Sequence, residues 1–156
     1  MLSSVSWFWR FTLAIILVFL AVPLVGGIDS GLSPETPWAG QVAEVPLWLQ
    51  IWLMGIMTPL FFISLFFLRR SLEARFLVGG VILSHVPMGV DLFLVTVGVV
   101  GVVHIVCLSP ALYLLAKKRP DVDPRSAFGL WVHAMLFVLA VSFAFDARDA
   151  LRYFLF

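Results

Sequence analysis

Long apolar stretches alternate with short polar interruptions along the whole chain. The apolar runs cover roughly residues 8–28, 47–68, 76–90, 92–116 and 127–145. The longer ones each reach the ~20 residues a helix needs to cross about 30 Å of hydrocarbon. The pattern predicts an all-α, polytopic transmembrane helical bundle.

The middle of the chain needs a break. Residues 76–116 carry no charge except Asp91, and as one helix at ~1.5 Å per residue they would run about 60 Å, twice the hydrocarbon thickness. Arg69, Arg70 and Arg75 precede this stretch, while Lys117, Lys118, Arg119 and Arg125 follow it. Both clusters favour the cytoplasmic side. A hairpin satisfies both, bending near residues 87–91, where Pro87 removes a helix donor and Gly89 tolerates a turn. Five membrane segments result, the third one short. The competing arrangement has four crossings with 76–90 re-entrant, which would place the C-terminus inside.

The remaining polar positions fit the five-segment reading. Arg10 precedes the first run, and residues 29–46 hold Asp29, Glu35 and Glu44 without Lys or Arg. That stretch is expected to be an external, irregular loop rich in Gly, Pro and Ser, with Trp38 and Trp48 at the membrane–water interface. Trp7 and Trp9 would anchor the opposite end of the first helix. Residues 1–27 share features with a secretory signal, but the apolar run is about 20 residues long and no A-x-A site follows, so a retained helix is expected. Residues 146–156 bring Asp146, Arg148, Asp149 and Arg152 at helical spacing before the apolar Tyr153 and Phe154. They are expected to form an interfacial amphipathic end on the external side.

Composition removes several alternatives. Of 156 residues, 62% are hydrophobic and 12% charged, whereas a soluble domain averages roughly 45–50% and 25%; mean hydropathy is +1.09. The chain is read as one transmembrane domain, 1–156. A net charge of +1 gives no reason to expect a nucleic-acid partner. The single cysteine, Cys107, excludes an internal disulfide and any CxxC site. No P-loop, G-x-S-x-G, dinucleotide fingerprint, HExxH or paired carboxylates of a hydrolase are present, so no catalytic residues are assigned and an enzyme is not expected. No internal repeat points to inverted transporter halves.

Ionisable side chains at membrane depth are costly, and each is by default a functional candidate. Four qualify here, His85, Asp91, His104 and His133. Distances from the nearest cytoplasmic charge put the three histidines near the middle of the bilayer. Gly101, His104, Cys107 and Ala111 share one helical stripe, and Gly129, His133 and Ala140 another. Small residues mark close helix contacts in membranes, so Gly98, Gly101 and Gly129 are packing candidates, and His104 and His133 point into protein where they could approach each other.

Three readings of these residues compete. In the first, each histidine makes one interhelical hydrogen bond, to a carbonyl or to Ser84, Ser109 or Ser142, and fixes register only. In the second, His104 and His133 ligate a b-type haem or a metal ion in a redox subunit. In the third, the histidines and Asp91 line an ion or proton path; the plain alternative for Asp91 is that it caps a helix starting at residue 92. Pro59 after Thr58, and Pro110 after Ser109, should kink their helices, with the preceding hydroxyls accommodating freed backbone groups.

The expectation is a small, homo-oligomeric, ion- or proton-conducting channel or transport-type bundle without a cofactor. It sits in a bacterial cytoplasmic membrane with its N-terminus inside. The alternatives are the haem- or metal-bearing redox subunit and a non-catalytic accessory subunit of a larger membrane complex.

Overall fold

The computed structural model describes residues 33, 35, 45–89 and 96–155. The first apolar run, nearly all of the 29–46 loop, and Asp91 with the turn around it lie outside the described residues. Among the described residues every regular element is helical. The four main helices are α1, Leu47–Phe67; α2, Leu72–Gly89; α3, Val97–Lys118; and α4, Ala127–Leu155. A short 3-10 turn, Arg119–Asp121, follows α3.

Local chemistry sets the helix ends. Ser71 begins α2 by accepting the Ala74 amide at 3.1 Å while its hydroxyl donates to Glu73 at 2.6 Å. Ser126 begins α4 by accepting the Gly129 amide at 3.0 Å. In the tight α1–α2 turn, the Arg75 guanidinium donates to the Leu68 and Arg69 carbonyls, which the end of α1 leaves without helical partners. Thr96, in extended backbone, precedes Val97. Thr96 holds the N-cap position of α3.

The two prolines differ in effect: α1 is disturbed before Pro59, while α3 runs unbroken through Pro110. Residues Ile51–Met57 of α1 form a π-helical segment directly before Pro59. A proline ring crowds the carbonyl four residues back and supplies no amide, and a widened turn relieves both problems. The Thr58 amide closes the wide turn on the Leu53 carbonyl, and the Thr58 hydroxyl donates to the same oxygen at 2.8 Å. In α3 the Ser109 hydroxyl likewise donates to the Ile105 carbonyl, one residue before Pro110.

The helices pack antiparallel in sequence order. On α2 and α3, Gly80 faces the Cys107 carbonyl and the His85 ring faces the His104 ring. On α3 and α4, Gly101 faces the Asp146 carbonyl. On α1 and α4, the Trp131 indole donates to the Ser64 hydroxyl at 3.1 Å and Ser142 meets Met57. This register places Arg69, Arg70 and Arg75 at the same end as Lys117, Lys118, Arg119 and Arg125, as the two basic clusters require of a hairpin. Near that end, Ala74, Leu77, Ala111, Leu115, Trp131 and Met135 belong to one buried core, with Phe67 and Phe128 stacked against Trp131.

Three helices, α1, α3 with its following turn, and α4, are long and apolar enough to cross a membrane. The fourth, α2, has 18 residues and carries Glu73 in its first turn; it is not one of the three. Their outward faces are apolar: Phe66 is 83% exposed, Leu47 71% and Val106 68%. So much exposed hydrocarbon on several helices would aggregate in water, and lipid is the solvent that suits it. The composition and these spans are those of a small helical membrane protein.

Candidate functional site

His85, His104, Asp146, Arg148 and Asp149 lie toward the end opposite the basic clusters. Their positions follow from close helix approach. A Cβ on Gly101 would stand 2.6 Å from the Asp146 carbonyl oxygen, and one on Gly98 would run into the Tyr153 side chain. With hydrogen at both positions, α3 and α4 come close enough for one residue of each to meet. His104 Nδ1 lies 3.4 Å from Asp146 Oδ1, each side chain 18% exposed. His104 Nε2 is buried and has no hydrogen-bond partner among the described residues.

Helix α2 adds a second imidazole. The His85 ring centre is 5.6 Å from that of His104, the planes tilted by 30°. His85 Nδ1 is held by its own helix, 2.8 Å from the Val81 carbonyl and 3.1 Å from the Ser84 hydroxyl. A carbonyl only accepts, so Nδ1 carries the hydrogen and Nε2 is the nitrogen left for other partners.

One turn beyond Asp146 lies an ion pair. Arg148 Nε and Nη2 donate to Asp149 Oδ1 at 2.6 and 2.5 Å, with the two side chains 1% and 8% exposed. The Arg148 guanidinium also stands 5.4 Å from the centre of the Phe145 ring. Burying two charges costs several kcal/mol per ion unless they are paired, which is why the arginine and the carboxylate appear together. Between the two pairs is a cavity of about 80 Å³ whose wall includes Trp52, His104, Ser142, Asp146, Arg148 and Asp149.

A larger cavity of about 500 Å³ lies beside it, walled mainly by apolar side chains of all four helices. His85, His104, Ser142 and Asp146 supply its polar end, with Thr58 on the α1 wall. Met54, Phe62 and Ile82, all exposed, mark its outer side. His104 and Asp146 thus border both cavities.

The sequence candidates distribute unevenly over this geometry. His85 and His104 come together; Asp91 is outside the described residues. His133 does not join them. It lies 13 residues before Asp146 on α4, about 20 Å along the axis at ~1.5 Å per residue, and its Nδ1 donates to the Gly129 carbonyl of its own helix at 2.7 Å. The approach of His104 to His133 expected from their small-residue stripes does not occur, because the two stripes meet at different levels of the antiparallel pair. Among the described residues no three His, Cys, Asp or Glu side chains are grouped to hold a metal ion. Gly129 packs against the turn before α4, where an added Cβ would strike the Asp123 carbonyl, and not against a neighbouring helix.

Sequence reasoning missed the carboxylate. Their spacing groups Asp146, Arg148 and Asp149 with an interfacial end, whereas α4 continues as a single helix to Leu155 and turns Arg148 and Asp149 inward. A usable signal was present. Met135, Leu139, Ser142, Asp146, Asp149 and Tyr153 recur at spacings of three and four, so the stripe that is apolar near the start of α4 becomes polar toward its end without leaving the packed face.

Compared with protein-family models, with curated proteins and with solved structures, the chain finds no match.

Proposed function

We propose that this chain is a small proton-conducting membrane protein in which His85, His104 and Asp146 form the stations of a proton path. The observation that carries the reading is the imidazole–carboxylate pair bridging α3 and α4, with the other imidazole nitrogen buried and unpartnered among the described residues. An ionisable pair inside an apolar bundle is expensive to keep, and proton relays are among the uses that retain one.

The relay follows from the two nitrogens of His104. A proton arriving at Nε2 forms an imidazolium; the Nδ1 proton then passes to Asp146 Oδ1, leaving a neutral ring and a carboxylic acid. Arrival adds one proton to the pair, the transfer from Nδ1 to Oδ1 conserves it, and release from Asp146 removes it. Release from Asp146 into the smaller cavity and return of the ring to its first tautomer reset the pair. That cavity, about 80 Å³, has space for two or three waters at roughly 30 Å³ each, and its wall offers Ser142 and Asp149 as further partners. His85, with Nδ1 tied to Val81, presents its other nitrogen as the preceding station. The Arg148–Asp149 pair would bias the field at the exit without itself exchanging protons.

This reading takes α2 as the short crossing of a five-segment arrangement, with the basic clusters cytoplasmic and the histidine–carboxylate end facing outward, in a bacterial cytoplasmic membrane. The apolar outer faces leave room for self-association or for docking to a larger membrane complex, in which the chain would act as a subunit.

The test is proton flux in liposomes reconstituted with the full chain, read by a trapped pH-sensitive dye under an imposed potassium diffusion potential. Wild type should acidify the lumen faster than protein-free vesicles, and His104→Ala and Asp146→Asn should each reduce that flux by at least ten-fold. His133→Ala should leave it unchanged. Equal flux in wild type and both path variants would refute the assignment.

A further inference from the structure

We infer that the larger cavity is a binding site for a lipid-soluble molecule bearing a neutral hydroxyl head. Its volume of about 500 Å³ lies within the ~300–1,000 Å³ of small-molecule sites, and it has their usual make-up of apolar walls with a few convergent polar groups. The apolar part is built from α1, α2, α3 and α4 side chains such as Phe61, Val81, Leu108 and Leu139. Met54, Phe62 and Ile82 are 65%, 63% and 60% exposed, so a chain-like ligand can enter sideways from the hydrocarbon.

The polar end selects the head. Among the described residues no Lys or Arg is in the cavity wall, while Asp146 is. A phosphate or carboxylate head would meet no cation there and would be repelled by Asp146, so an anionic lipid is disfavoured. The group that seeks a partner is His104 Nε2, buried and unsatisfied among the described residues. It is a lone-pair acceptor when the ring hydrogen is on Nδ1, and a donor when Nε2 carries one. A hydroxyl both donates and accepts and so pairs with either tautomer. A carbonyl or ether oxygen serves only one. Aliphatic and phenolic hydroxyls share this chemistry. The site goes beyond the proton path, because binding needs the cavity and the His104 nitrogen but no proton flux.

The experiment is photolabelling of the full chain in nanodiscs with a diazirine-bearing long-chain phenol, followed by peptide mass spectrometry. Labelling should concentrate on cavity residues of α1 and α2. Unlabelled pentadecylphenol should compete about ten-fold better than its methyl ether, the worth of one hydrogen bond to a buried partner, and better than palmitate. Competition by hexadecanol as well would assign any hydroxyl; competition by the phenol alone would assign an aromatic one, and both support the site. His104→Leu should erase the phenol-over-ether preference. Ile82→Trp, at an exposed position outside the proton stations, should lower labelling by filling the entrance even if His104→Leu fails to fold. Uniform labelling of lipid-facing residues, or competition by the ether or palmitate equal to that of the phenol, would overturn the inference. Dye-measured flux on the same nanodisc-purified protein after transfer to liposomes reads the proton path separately, so loss of one result does not entail loss of the other.

Discussion

Two adjacent glycines on α2 give opposite forecasts. A Cβ on Gly79 would meet no atom within 4 Å, whereas one on Gly80 would stand 2.5 Å from the Cys107 carbonyl oxygen and 3.0 Å from Leu108 Cδ2. Ordinary contact begins at about 3.4 Å. The Leu108 methyl can rotate away, but the carbonyl belongs to the α3 backbone, so relief requires α2 and α3 to part by about 0.9 Å, from 2.5 to 3.4 Å. Overpacking of this kind costs ~1–3 kcal/mol, set against the ~0.5–1 kcal/mol that alanine contributes over glycine in a helix. Gly80→Ala should therefore destabilise on balance by up to about 2.5 kcal/mol, and Gly79→Ala should stabilise by ~0.5–1 kcal/mol. At ~2–4 °C per kcal/mol for a chain of this size, the two variants should differ in Tm by roughly 2–12 °C, with Gly80→Ala the lower. Thermal unfolding in detergent followed by tryptophan fluorescence measures it. Equal shifts of the same sign in both variants would refute the close α2–α3 approach, and with it the register that brings His85 to His104.

Other contacts make separate forecasts. Ser64→Ala leaves the buried Trp131 indole N–H without its acceptor and should lower stability by ~1–3 kcal/mol, read as a fall in Tm. Asp149→Leu removes the carboxylate that accepts from Nε and Nη2 of Arg148, whose side chain is 1% exposed, and should cost up to ~3–5 kcal/mol; Arg148→Met combined with Asp149→Leu should recover most of that loss in the same melt. Ser126→Ala removes the cap on Gly129 and should cost ~1 kcal/mol, visible as faster hydrogen exchange in the first turn of α4 with little change at Asp146.

How far the sequence could be read depended on whether a feature was local. The apolar runs located α1, α3 and α4 because a membrane span is a property of one stretch and its flanking charges. The basic clusters around residues 69–75 and 117–125 correctly demanded that α2 and α3 run in opposite directions. Pro59 marks α1 for a disturbance but not for its π-helical form, since a kink and a widened turn answer the same missing amide; the Thr58 and Ser109 hydroxyls bond the Leu53 and Ile105 carbonyls, not those four residues before each proline.

The site was legible only by halves. His85 and His104 stand out because ionisable groups are rare in such runs. Their relation to each other, and to Asp146, depends on interhelical register, which Gly80, Gly98 and Gly101 set through backbone contacts between helices distant in sequence. Asp146 was hidden by its company: with Arg148, Asp149 and Arg152 it resembles a solvated helix end. Only the packing of α4 on α3 reveals that its carboxylate faces inward. His133 lies away from this group, and its Nδ1 bonds the Gly129 carbonyl of its own helix.

The central claim, that His104 and Asp146 exchange a proton across the α3–α4 interface, is tested most directly by the carboxyl region of the infrared difference spectrum recorded as membranes of the reconstituted protein are acidified. The account predicts a carboxylic-acid band that vanishes in Asp146→Asn and shifts in frequency in His104→Ala. A band unchanged in the histidine variant would show that the carboxyl does not sense the imidazole and would contradict the proton path.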